Sequence, residues 1–96
     1  MEMEKKTDRV IITVVGKDTI GIIAKVTTYL AECRINILDI SQTIVQGMFN
    51  MMMIVDMTKA TVDFDTCAKK LQEIGEDTGV VIKCQKEEIF DKMHRL

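Results

Sequence analysis

The sequence predicts an α+β sandwich: a four-stranded antiparallel sheet covered on one face by two helices. Three observations lead there. Four short apolar runs and two amphipathic helical patterns alternate in the order strand, helix, strand, strand, helix, strand. The length, 96 residues, allows one hydrophobic core and is too short for two. Proline is absent, and no low-complexity tract or linker divides the chain.

Residues 1–8 are charged and read as a frayed tail. Arg9 to Val15 (RVIITVV) is β-branched almost throughout and suits a central strand. Gly16-Lys17-Asp18-Thr19-Ile20-Gly21 interrupts it with loop chemistry. Ile22, Ile23, Val26, Thr27 and Leu30 then recur at helical spacing, with Lys25, Glu32 and Arg34 among the polar positions. Asp18 or Thr19 is placed to cap this helix by accepting from its free N–H groups.

Ile35 to Gln46 reads as a long strand with an irregularity. Ile35 and Ile37 share one parity, whereas Leu38, Ile40 and Ile44 take the other, which a bulge or kink near Ile37-Leu38 would produce. Gly47 makes a tight reversal into a strand from Met48 to Met57. Asp63 starts the second helix, whose buried stripe is Phe64, Cys67, Ala68, Leu71 and Ile74 and whose end falls between Gly75 and Gly79. Val80 to Gln85 forms the last strand. A short C-terminal helix over 87–96 has Ile89, Met93 and Leu96 on one side.

Two right-handed split crossovers of this kind give the ferredoxin-like βαββαβ sandwich, sheet order 4-1-3-2, with the second and fourth strands as edges. Val10, Ile12 and Val14 point to one face of the first strand and Ile11 and Val15 to the other. The helices cover one face, so something must cover the other. The methionine-rich stretch Met48 to Val55 is assigned to core packing, because adjacent strand residues alternate faces and do not converge on one ion.

Thirteen basic residues against fifteen acidic ones give a net charge of −2, so no global field favours nucleic acid or a membrane surface. The charged opening is no signal peptide, and no apolar stretch approaches membrane-spanning length. Cys33, Cys67 and Cys84 lie far apart and form no C-x-x-C pair, which points to reduced, half-buried thiols and a cytoplasmic location.

Several unrelated functions use this topology, so residues must decide between them. Metal carriers of this fold would have a cysteine pair in the first loop, and this loop has none; acyl-phosphate hydrolysis would want an arginine there, and the loop offers Lys17. RNA recognition would want aromatic residues on the central strands, where only Phe49 occurs. His94, the single histidine, sits in the last three residues, and Asp18, Asp39 and Ser41 have no histidine or clustered carboxylate to work with. No enzyme activity, metal or cofactor is expected.

The run from Val14 to Val26, containing Gly16-Lys17-Asp18-Thr19-Ile20-Gly21, followed by Ile35-Asn36-Ile37, resembles the ACT domain. That family's first strand ends in a G-x-D-x-x-G loop leading into the first helix, and an N-I pair opens its second strand. The resemblance extends over residues 9–86 and is nearest to short prokaryotic proteins made of a single ACT domain. Ile20 stands where many such loops have proline. The resemblance implies a regulatory module that binds a small molecule such as an amino acid and acts as a homodimer, with the dimer completing the site. The residues it implies for the site are Gly16, Lys17, Asp18, Thr19, Ile20, Gly21, Asn36 and Ile37.

The residues' chemistry is compatible with such a role. Glycines at a helix start expose N–H groups to a carboxylate, and an asparagine offers both donor and acceptor to an amino acid. The alternative from another class is a ligand-free interaction module that regulates a protein partner through its sheet edge.

Overall fold

A computed structural model of the chain describes residues 8–17 and 21–87. Its elements are β1 (Arg9–Lys17), α1 (Ile22–Glu32), β2 (Asn36–Val45), β3 (Met48–Asp56), α2 (Phe64–Thr78) and β4 (Val80–Lys86). The sheet order is β2-β3-β1-β4, every neighbouring pair antiparallel, which is the predicted order read from the other edge. The expected tail and C-terminal helix lie outside the described residues apart from Asp8 and Glu87.

The core forms between the helices and one face of the sheet. Val10, Ile12 and Val14 of β1, with Met51, Met53 and Val55 of β3, meet Ile22, Val26 and Leu30 of α1 and Cys67 and Leu71 of α2. Ile12, Ile22, Leu30, Met53 and Leu71 are the largest fully buried side chains. Each contributes on the order of 1.5–3 kcal/mol by leaving water. The methionines divide: Met51 and Met53 pack in the core as expected, whereas Met48 and Met52 point to the opposite face and are exposed.

In α2, the Asp63 carboxylate accepts from the Thr66 N–H at 2.8 Å, and Gly79 at φ 81° ends the helix and turns directly into β4. A methyl on Gly75 would stand 2.7 Å from the Val80 carbonyl oxygen, so the helix rides against the strand there. Sequence periodicity gives no weight to a glycine, which is why Gly75 is absent from the expected buried stripe.

The entry and exit of α1 differ from expectation. Its N-cap is Gly21 at φ 88°, not Asp18 or Thr19, which lie outside the described residues. The loop is therefore longer than a capping residue followed by a helix would make it. At the far end Arg34 adopts φ 60°, and the Ile35 N–H reaches back to the Leu30 carbonyl at 2.9 Å. This left-handed cap buries Ile35 and starts β2 at Asn36.

The expected irregularity in β2 is a one-residue register shift between Ile37 and Asp39. Leu38 is the extra residue, and beyond it Ile40 and Ile44 pair with Met53 and Phe49 and so return to the helix side. Gln46 and Gly47, at φ 51° and 80°, form the two-residue turn into β3.

Candidate ligand site

β1 runs in pairing with β3 from Arg9 opposite Asp56 to Lys17 opposite Met48. The loop that follows therefore leaves the sheet at the Met48 end, where α1 begins. Gly16 is buried in the strand, and a Cβ there would meet Val80 Cγ1 at 2.7 Å. Its lack of a side chain is required by packing with β4, over and above any part in a turn. Gly21 has open space around it but a positive φ, so it is a conformational glycine. The first intrahelical bond of α1 runs from the Lys25 N–H to the Gly21 carbonyl at 3.0 Å. The amides of Ile22, Ile23 and Ala24 precede it and have no acceptor within the helix, and the helix dipole adds partial positive charge there.

Asn36 lies at the other end of the sheet. It pairs with Asp56, the residue that also faces Arg9, and its side chain is exposed. Ile37 is half-buried against the core. Gly16, Lys17 and Gly21 are thus grouped at one end and Asn36 and Ile37 at the other. Eight strand residues separate the ends, roughly 26 Å at ~3.3 Å per residue. One chain does not bring its candidate residues together. Asp18, Thr19 and Ile20 belong to the first group by sequence and lie outside the described residues.

A group of residues that sequence motifs miss stands along one flank. Ile23 is 37% exposed, Ile40 43% and Ile44 60%. On α1, Lys25, Tyr29 and Glu32 face α2 across a groove that also contains Lys70 and Ile74. Ile23 is on the opposite side of the helix, toward the β2 edge, where Ile40 and Ile44 present the same face of the strand. The parity switch at Leu38 was the sequence signal for this flank.

Elsewhere the described residues offer little for covalent chemistry. Among the described residues no polar or charged side chain is buried, and no three His, Cys, Asp or Glu side chains are grouped to hold a metal ion. Cys33, Cys67 and Cys84 are all unpaired; Cys33 and Cys67 belong to the core and Cys84 packs against it, half-buried. Burial pushes the Cys67 thiol up to about 11, with a smaller push from Cys33, and the Cys84 thiol up to about 12, with a smaller push from Cys67. These thiols stay protonated at neutral pH. A groove of about 750 Å³ between α2 and β4 is lined by Ala68, Gln72, Glu76 and the strand, and none of the candidate residues contributes to it.

A glycine-bearing loop at the start of α1 and an N-I pair at the start of β2 now sit on a βαββαβ frame. The family model for the ACT domain matches residues 8–85. The chain belongs to the ACT domain family. ACT domains are regulatory ligand-binding modules. A UPF0237 protein of Bifidobacterium longum is 58% identical over 89 residues, covering 93% of this chain and 99% of that protein. An ACT domain protein from Streptococcus pneumoniae, of solved structure, is 39% identical with a TM-score of 0.77, over 88% of this chain and 96% of that one. A formyltetrahydrofolate deformylase from Pseudomonas syringae shares the fold with a TM-score of 0.76 at 20% identity; the match covers 84% of this chain and 28% of that enzyme. No helix among the described residues of this ACT domain is long and apolar enough to cross a membrane.

Proposed function

We propose that this ACT domain is a non-enzymatic regulatory module of the cytoplasm that binds a small molecule, an amino acid in the first instance, at the interface of a homodimer. The observation that carries this reading is the separation of the candidate residues across the sheet. A two-fold axis that pairs the β2 edges of two copies antiparallel reverses one chain relative to the other. The partner's Asn36 end is then brought toward the first loop, and each dimer holds two composite sites. Ile23, Ile40 and Ile44 lie on the flank that such pairing buries, which accounts for their exposure in a single chain.

In the composite site the amides at the start of α1, which have no acceptor within the helix, receive the ligand carboxylate, and Asn36 of the other copy satisfies its ammonium. Asn36→Ala leaves folding almost intact, since the side chain is exposed in the single chain, and weakens binding by about 1–3 kcal/mol.

Calorimetry with a panel of amino acids tests binding, and mixed dimers test its architecture. An Asn36→Ala chain, and an Asp18→Ala chain changed in the first loop that the resemblance implies for the site, are each weakened at both sites as homodimers. A mixed dimer of the two regains one intact site, so random mixing restores about a quarter of wild-type capacity. No recovery on mixing, with both variants folded and dimeric, refutes the shared site. Failure of every amino acid to bind wild type moves the reading to a ligand-free module acting on a protein partner through its sheet edge.

A further inference from the structure

The two edges of the sheet differ in what stands beside them. β4 ends the sheet on the side away from β2, and among the described residues no strand pairs with its outer side. An edge strand turns the N–H and C=O groups of alternate residues outward, where another extended chain can bond to them. Beside this edge α2 forms a wall. The helix runs back along the strand: Gly75 sits against Val80 and Ile82, and the Lys86 Nζ lies 5.3 Å from the centre of the Phe64 ring. Ala68, Gln72 and Glu76, spaced four residues apart, therefore line one flank of the helix, and with β4 they bound the groove of about 750 Å³. Clefts of that size take up ligands well beyond a single amino acid, and a floor of repeating backbone donors and acceptors suits an extended peptide.

We infer that an extended segment of a protein partner adds to β4 as a further strand, with apolar residues toward α2 and acidic residues on the outer face. Successive residues of an added strand alternate between the two faces. On the outer face they meet Val81 and Lys83, both exposed. Lys83 has Thr13 beside it on β1 and Val81 and Gln85 along its own strand, none of them acidic. A carboxylate placed opposite gives it a charge partner. On the helix side the added residues meet Ala68, whose small side chain leaves room for a branched one, and half-buried Cys84. Glu76, exposed near the Val80 end, repels an acid from that row, so charge fixes which way the segment faces. A second copy fits the edge less well. Two β4 strands paired antiparallel over their full length, Val80–Lys86, set Lys83 directly against Lys83. β4 and β2 are opposite edges, so a partner here leaves the β2 flank free.

The probe is a capped hexapeptide of alternating valine and glutamate, titrated into the full chain with amide NMR as the readout. The expected result is a set of shifts over Val80 to Cys84 and at Ala68 and Gln72, with β2 unmoved. Exchanging the glutamates for lysines weakens binding about tenfold, and Lys83→Glu, which changes an exposed side chain, reverses that preference. Methylating one alternate set of peptide amides abolishes binding and methylating the other does not, because only one set reaches β4. No shifts at millimolar peptide, shifts centred on β2, a charge preference unaltered by Lys83→Glu, or equal tolerance of both methylated sets overturns the inference. Two other occupants would overturn it as well. Residues 88–96 of this chain hold the groove if their amides shift more than those of β4 as the peptide displaces them. A second copy holds it if the β4 signals move with protein concentration alone.

Discussion

At Gly16 the backbone of β1 passes so close to β4 that a methyl group would stand 2.7 Å from Val80 Cγ1 and 2.9 Å from its Cβ. Gly16→Ala is therefore an overpacking substitution and destabilises the fold by about 1–3 kcal/mol. Gly21→Ala meets no neighbour and costs only the strain of its positive φ, about 1 kcal/mol. Urea titration of the two variants checks the order, and an equal or larger loss at Gly21 would refute the packing argument. The pair also marks a limit of the sequence. Both glycines were legible as belonging to one loop, and their different reasons were not. A close approach between strands is a tertiary fact, and a glycine looks the same in either setting. The gathering of Cys33, Cys67 and Cys84 is likewise invisible at their sequence spacing, because three separate elements bring them together.

Elements were the most legible level, since each carries its own periodicity. The β2 irregularity could be located from parity alone because the apolar positions change register within five residues. The ends were harder. The start of α1 was assigned to Asp18 or Thr19 because those side chains are good caps, but the helix begins after Gly21, where the left-handed backbone sets the entry. Its end was less visible still, for nothing in an arginine announces a left-handed residue. Arg34 holds φ 60° because the Ile35 bond to Leu30 and the burial of Ile35 hold the turn in place. Arg34→Gly removes the strain of that conformation and raises stability by about 0.5–1 kcal/mol. Thermal and urea unfolding measure it, and a loss of stability would show that the arginine side chain contributes more than its backbone costs.

At the scale of the whole molecule, the sheet order and the placement of the helices on one side followed from element order and crossover handedness. The candidate site did not. Sequence adjacency groups the first loop with the N-I pair through α1, yet the helix carries the chain back along the sheet and leaves the two at opposite ends. In the proposed dimer a symmetry operation between copies reunites them, and no single sequence records that operation. Exposure along the α1–β2 flank tests it. Ile40→Asp with Ile44→Asp changes two side chains that are 43% and 60% exposed, so the fold persists while association weakens. Sedimentation equilibrium at micromolar concentration is expected to give twice 10.9 kDa for the wild type and 10.9 kDa for the double variant. A wild-type monomer, or a variant that remains dimeric, places the contact elsewhere or removes it.

The extra residue in β2 also bears on how sequences of this kind tolerate changes of length. Leu38 sits on an edge strand and is 43% exposed, so its deletion empties no cavity and breaks no helix. What it alters is orientation. The stretch from Asp39 to Val45 would rotate by half a turn about its own axis, sending Ile40 and Ile44 to the outer face and Ser41 and Thr43 to the helix side. A gap of one residue at this point therefore leaves the hydrophobic interior as it was and exchanges the chemistry of an entire border. In an alignment it would look minor, but to a neighbouring molecule it would present a different protein.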